Sequence, residues 1–185
     1  YGFMDEGWAT TFELLIGTAD MGKQNAEKFY KQFRVQGWTH SNASDLQIPI
    51  ITPGDALTGF VFGSNEYGKA SLGYLAMKDL LGDAGFKKCL HAYMDRWHGK
   101  HPTPWDFFNT FSNVAQKNLN WFWNNWFFST NYTDYDLQAV KKSKTGYDVL
   151  IKNIGGFFAP VDVIINYADG STETKHLTPA VWEKQ

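Results

Sequence analysis

The stretch MDEGWATTFELLIG, residues 4–17, predicts a helix near the start of the chain. Its larger apolar residues recur at spacings typical of one helix face, namely Trp8, Phe12, Leu15 and Ile16. Glu6 and Glu13 are seven residues apart, so they lie nearly above one another on the opposite face. On spacing alone this is a solvated face, with Glu6 favoured in the first turn by the helix dipole. Gly7 lowers helix stability here, which is useful if another backbone or a metal site approaches closely.

Composition restricts the class of protein. With 185 residues, the chain is long enough for one large domain or two small ones. Charged residues make up only 19%, which argues against disorder, and the net charge of -2 with no strong basic stripe argues against nucleic-acid binding. No run approaches the apolar length of a membrane span. The single cysteine, Cys89, excludes an internal disulfide, and we expect it to be a buried, inert thiol.

The first two-thirds of the chain read as helices. Beyond residues 5–17, the expected helices cover 22–34, 65–82, 83–98, a segment after Thr103, and a last one ending near Ser129. Asn65 is a candidate N-cap, Gly82 a candidate stop, and Thr103 an N-cap followed by Pro104. Residues 37–64 carry several Gly and Pro and read as irregular. A segment of this length often lines a functional site.

The hydrophobic period changes after residue 132. YDLQAV, YDVLIKN, VDVIINY and TETKHL are short and rich in β-branched or aromatic residues, with turn signals between them. The sequence therefore predicts an α+β protein. We expect a helical part over residues 1–132 and a small antiparallel β-sandwich or sheet, incomplete, over 133–185.

The run DEGWATTFE resembles the segment after the zinc-binding helix in the M1 family of metallopeptidases, the gluzincin aminopeptidases. Their pattern is HExxH, eighteen residues, and then a glutamate in a run such as NEGFAxxxE. The resemblance places Glu6 at the third zinc-ligand position and Glu13 at the second acid, which supports the site without binding metal. Asp5 and Trp8 stand where Asn and Phe are common, and both changes are mild.

The run NEYGKASLGYLAMKDLLG, residues 65–82, resembles the family helix that carries a catalytic tyrosine in a Tyr-x-Lys-Gly/Ala run. The resemblance places Tyr67 at that tyrosine, whose hydroxyl would donate to the developing oxyanion of the reaction. The alternative for Tyr67 is an aromatic residue at a helix start that packs on Tyr74. The later helices and the β-rich tail resemble the parts that follow in these peptidases, so the likeness extends over essentially the whole chain.

The main departure from the family pattern is that HExxH is absent. A catalytic zinc usually has three protein ligands, and this chain would supply one. His98 and His101 do not replace them, since Gly99 and Pro102 break the helix there and no acid is suitably placed. The zinc histidines would then lie upstream of Tyr1, and we expect the chain to be part of a longer protein.

The resemblance implies a fragment of a zinc peptidase that hydrolyses peptides, with cleavage expected near the amino terminus. Zinc would belong to the parent protein, and the isolated chain would bind it poorly and cleave nothing. Its partners would be a peptide substrate and the upstream part of the same protein. We favour an exported or periplasmic location, which the sequence does not determine.

Two alternatives stay open. One is a non-catalytic helical and β-sandwich module that binds a peptide or protein partner through its aromatic surface. The other is a different gluzincin of the glycyl-aminopeptidase type, although the residues around Tyr67 favour the M1 family.

Overall fold

The amino-terminal part is an antiparallel pair of helical stretches. The computed structural model of the chain describes residues 1–40 and 47–183. After a short 3-10 turn, α1 covers Glu6–Met21, longer than the sequence predicted because the polar residues after Gly17 continue the helix. Gly22, at φ 83°, makes the turn into α2, Lys23–Tyr30. A first π-helical segment, Lys31–Val35, and α3, Gln36–His40, continue from it.

The second part is a long helical path that begins earlier than expected. A 3-10 turn covers Gly54–Ala56 and is followed by α4, Gly59–Phe62. A second π-helical segment, Gly63–Lys69, leads directly into α5, Ala70–Trp97. None of these elements is a membrane-spanning helix, nor does any other helix in the described part of the chain have the length and apolarity to be one.

The structure tests two sequence predictions in this helical path, the N-cap at Asn65 and the helix stop at Gly82. The N-cap prediction for Asn65 was wrong, because Asn65 is buried inside the helical path and its side chain donates to the Pro49 carbonyl at 3.3 Å. The apolar residues of α4 extend the helix upstream of it. The stop predicted at Gly82 is confirmed as a sharp break within α5, where φ is 69° and ψ is 163°.

Two shorter helices complete the helical part. Thr103 caps α6, Pro104–Ala115, and the cap is reciprocal, because Asp106 also accepts from the Thr103 backbone. This confirms the predicted start at Thr103. The last helix, α7, covers Asn120–Phe128.

Aromatic side chains from α1, α5, α6 and α7 form the core. Trp8 of α1 stacks on Tyr74 of α5, with ring centroids 3.9 Å apart and planes at 10°. The buried Tyr74 hydroxyl donates to the Phe3 carbonyl at 2.9 Å, so its polar atom is satisfied. The remaining rings of this cluster include Phe86, Phe107, Phe108, Phe111, Phe122, Trp123, Trp126 and Phe127. Cys89 is buried among them, as expected.

The carboxy-terminal part consists of two antiparallel hairpins. Strands β1, Tyr135–Lys142, and β2, Tyr147–Asn153, form one, and β3, Val161–Asn166, and β4, Thr172–Leu177, form the other. The α+β class is therefore confirmed. The strands form two separate two-stranded sheets, and apolar side chains remain exposed on them, among them Leu137, Val140, Tyr147, Leu150 and Ile164.

The segment that connects the two hairpins is hydrogen-bonded to side chains of α7. The indole N–H of Trp126 donates to the Phe158 carbonyl at 3.1 Å, and the Asn125 amide contacts this link on both sides, donating to Gly156 and accepting from Phe158. A second set of hydrogen bonds joins β4 to α5, where the ring nitrogens of His176 contact Asp162 on one side and Asp79 on the other.

Candidate active site

Glu6 lies where α1 approaches the path of α5 most closely. It is the first residue of α1 and is half-buried. A Cβ atom on the next residue, Gly7, would lie only 2.9 Å from both the Ala70 Cβ and a Tyr74 ring carbon. Only glycine allows this approach, and that is the close contact which the sequence suggested for Gly7. The contact fixes Glu6 next to the second π-helical segment.

Tyr67 lies on that π-helical segment and meets Glu6. The Glu6 carboxylate lies close to the Tyr67 hydroxyl, and the interaction between these two groups is the main reason why the pKa of Tyr67 is raised. The Tyr67 ring also contacts Phe62, with centroids 6.1 Å apart. Tyr74, the alternative partner in the sequence, stacks on Trp8. The structure thus brings together two side chains that are 61 positions apart, the proposed zinc ligand and the proposed hydroxyl donor.

Glu13, the third residue singled out from the sequence, faces an arginine. Arg34 on the first π-helical segment donates to both carboxylate oxygens, from Nε at 2.9 Å and from the terminal nitrogen at 2.6 Å. The hydrogen bond to Glu13 is the main reason why the pKa of Arg34 is raised. The two side chains are 29% and 32% exposed, so water screens this ion pair only in part.

Sequence reasoning gave Arg34 no role. It lies at the end of the predicted helix 22–34, which is polar and amphipathic. Charged residues are common on the solvent-facing side of such a helix, so the sequence does not single out this arginine. Its guanidinium carbon lies 5.8 Å from the Tyr67 ring centroid. No spacing rule connects an arginine with an acid 21 positions earlier and a tyrosine 33 positions later. Two short local runs identified the acids and the tyrosine as candidate site residues. The arginine is identified as their neighbour only by the fold.

An open groove of about 490 Å³ lies on the side of Tyr67 and Arg34. Its other lining residues are Phe33, Gly37, Gly59, Phe60, Phe62, Gly63 and Ser64. Several of these residues belong to the two ends of the 37–64 stretch. Its residues 41–46 lie outside the described part of the chain.

Two buried ionisable groups flank Tyr67, and sequence reasoning overlooked both. Glu66 is fully buried, and burial raises its pKa to about 7, although hydrogen bonds from the Asn65 amide and the Phe3 backbone act in the opposite direction. Lys69 is 1% exposed, and burial lowers its pKa to about 8. Its ammonium group donates to the Ile48 carbonyl at 3.0 Å and so fastens the irregular stretch to the helix.

As a metal site, the arrangement is partial. Over residues 1–40 and 47–183, no three His, Cys, Asp or Glu side chains are grouped so that they could hold a metal ion. The half-buried Glu6 carboxylate is by its chemistry able to serve as one ligand of a catalytic zinc, which usually has three protein ligands. His98 is the C-cap of α5, in agreement with the predicted helix end, and its ring Nδ1 lies 2.9 Å from the Met94 carbonyl oxygen.

Comparison with known proteins identifies the family of the chain. A comparison with curated proteins gives no match. The family model described as the peptidase family M1 domain matches residues 2–126, which is more than half of the chain and includes Glu6, Glu13, Arg34 and Tyr67. This chain belongs to peptidase family M1.

Proposed function

We propose that the chain is part of the catalytic region of an M1 zinc aminopeptidase and supplies one zinc ligand and one oxyanion donor. Family membership supports a peptidase, which hydrolyses peptide bonds. The observation that carries the finer assignment is the proximity of Tyr67 to Glu6, whose carboxylate raises the pKa of the phenol. This proximity supports the proposal that the two groups, named from separate sequence runs, belong to one site.

In this proposal Glu6 holds zinc together with two histidines of an upstream HExxH helix. When bound, the metal supplies a Lewis acid next to the scissile peptide. The Gly7 contact holds the backbone of Glu6 close to the path of α5, which supports this role.

Tyr67 stabilises negative charge in the same proposal. Its hydroxyl lies close to Glu6, so the carbonyl oxygen of a peptide seated beside that carboxylate would be within its reach. A tyrosine phenol is protonated at neutral pH, the raised pKa of Tyr67 acts in the same direction, and the protonated phenol is the form that can donate to an oxyanion. Glu13 supports the site through Arg34 and contacts no substrate.

The isolated chain should bind zinc weakly and hydrolyse nothing, because a catalytic zinc needs three protein ligands. We expect the coding region before Tyr1 to encode HExxH, followed by eighteen residues before Glu6. If the histidines are missing there, the zinc-ligand role of Glu6 has no basis.

Two variants of the full-length protein test the roles. Glu6→Gln should lose most of the bound zinc, measured by metal analysis, since an amide is a poor zinc ligand. Tyr67→Phe should keep its zinc and lose about 100-fold in kcat on an aminoacyl substrate, since one oxyanion donor is removed. The matched controls are Glu183→Gln and Tyr147→Phe, both at exposed positions. Full activity in Tyr67→Phe would show that the assigned role is wrong.

The alternative of a non-catalytic binding module has one observation in its favour. Apolar side chains stay exposed on the hairpins, including Leu137, Tyr147 and Ile164 at 61–69%. Such faces are typical of surfaces that pair with another protein. A full-length protein that lacks HExxH and binds no zinc would favour this module over the peptidase.

A further inference from the structure

Arg34 is held in place from two directions. Its side chain forms the two-point ion pair with Glu13, which leaves the guanidinium a single orientation. Its main chain presses against Gly68, the residue after Tyr67, where an added Cβ would lie 2.2 Å from the Arg34 carbonyl oxygen. The first and second π-helical segments therefore touch backbone to backbone immediately beside Tyr67.

The fixed guanidinium faces the tyrosine. It lies 5.8 Å from the Tyr67 ring centroid, a distance at which a cation is attracted to an aromatic face. Tyr67 is partly exposed and borders the open groove, so packing alone restrains its ring less than it restrains the buried Tyr74. The hydroxyl end lies close to Glu6, and the ring face lies against Arg34.

We propose that Arg34 is a positioning residue for Tyr67: anchored by Glu13, its guanidinium keeps the tyrosine ring oriented so that the hydroxyl stays beside Glu6. As a statement about turnover, this rests on the proposed function of Tyr67. As a statement about side-chain order, it applies to the chain by itself. Glu13 acts in this arrangement only through Arg34, which gives the supporting acid a defined physical task.

Kinetics of the full-length protein test the first statement. Arg34→Met should lower kcat by about 10-fold or more, because a displaced donor loses its alignment, and should leave KM and zinc content within about twofold. Adding Glu13→Gln to Arg34→Met should cause little further loss, since the two residues act as one unit. A rise in KM alone would overturn the proposal, because Arg34 would then contact the substrate directly.

The aromatic NMR signal of Tyr67 in the 185-residue chain, with no metal added, tests the second statement. The signal is assigned in a chain with ¹³C-labelled tyrosine by its absence from Tyr67→Phe. Arg34→Met should shift it and increase the ring mobility measured by relaxation. Arg34→Lys, which keeps the charge but loses the two-point geometry, should give an intermediate value. Arg96→Met, at an exposed arginine on α5, is the matched control and should leave the signal unchanged.

The two measurements separate the possible failures. If the full-length protein neither binds zinc nor hydrolyses peptides but the Tyr67 signal responds to Arg34→Met, the proposed function fails and the positioning contact stands. If the signal is the same in wild type, Arg34→Met and Arg34→Lys, then Arg34 does not position Tyr67, whatever the activity.

Discussion

Glu66 gives the protein a pH-dependent stability that one substitution should remove. Its carboxyl group is fully buried beside Tyr67, and burial raises its pKa from 4.5 to about 7. Between these two values the folded chain keeps the proton while the unfolded chain has lost it. Because the folded state binds more protons there, the free energy of unfolding falls as the pH rises through this range. Glu66→Gln replaces the carboxyl with a neutral group of similar shape and cannot show this loss.

The size of the effect follows from the two pKa values. One pKa unit corresponds to about 1.4 kcal/mol, so the whole change from 4.5 to about 7 corresponds to about 3 kcal/mol. Most of it develops between about pH 5 and pH 8, where linkage gives a difference of about 2 kcal/mol. That is a large part of the stability of an ordinary domain.

Urea unfolding of wild type and Glu66→Gln at several pH values measures this difference. The variant should gain stability relative to wild type by about 2 kcal/mol from pH 5 to pH 8. Any pH-independent effect of the amide, such as an altered hydrogen bond to Asn65, cancels in this comparison. Glu183→Gln controls for the loss of one carboxylate at an exposed position. If the two unfolding free energies stay parallel over this pH range, Glu66 is ionised in the folded protein and the reasoning is refuted.

Two further predictions concern contacts that hold the site and the hairpins. Gly68→Ala should destabilise the fold by about 1–3 kcal/mol in urea unfolding, because its Cβ would meet the Arg34 carbonyl oxygen at 2.2 Å. Gly63→Ala, where nothing lies within 4 Å of the added Cβ, is the matched control, and an equal loss in both would contradict the argument. His176, whose pKa is raised by Asp162 and by Asp79 of α5, should stabilise the fold most when it is protonated. His176→Gln should therefore cost at most about 1 kcal/mol near pH 6 and less near pH 9, and a greater loss at pH 9 would exclude this ion pair.

Local signals in the sequence predicted the parts of the fold that local physics controls. Thr103 and Asp106 formed the expected cap, because their hydrogen bonds are made within one turn. Gly82 interrupted α5 because glycine adopts a positive φ at low cost. Asn65 was misread for the converse reason. A helix that starts upstream buried it, and its side chain bonds to a distant carbonyl instead of to its own helix.

The residues of the candidate site also fall into two groups, those predicted from local sequence and those recognised only in the fold. Glu6, Glu13 and Tyr67 were found because each belongs to a short run with a recognisable pattern. Arg34 was not found, because its significance comes from contacts made over long sequence separations. The burial of Glu66 is likewise a tertiary property, since nothing in the sequence distinguishes it from a glutamate on a solvated face.

The glycines explain how short runs on separate helices become one site. Glu6 is followed by Gly7, and Tyr67 is followed by Gly68. In both places the missing Cβ allows a neighbouring element to come into direct contact, α5 at Gly7 and the backbone of Arg34 at Gly68. Glu6 and Tyr67 are thus each adjacent to a glycine at which an added Cβ would clash with a neighbouring element. A side chain at either glycine would push the two elements apart and displace the adjacent Glu6 or Tyr67. The glycine that follows each of these residues therefore helps to determine its position. The same reasoning explains why the glycine after Glu6, which weakens its own helix, is compatible with a well-ordered site.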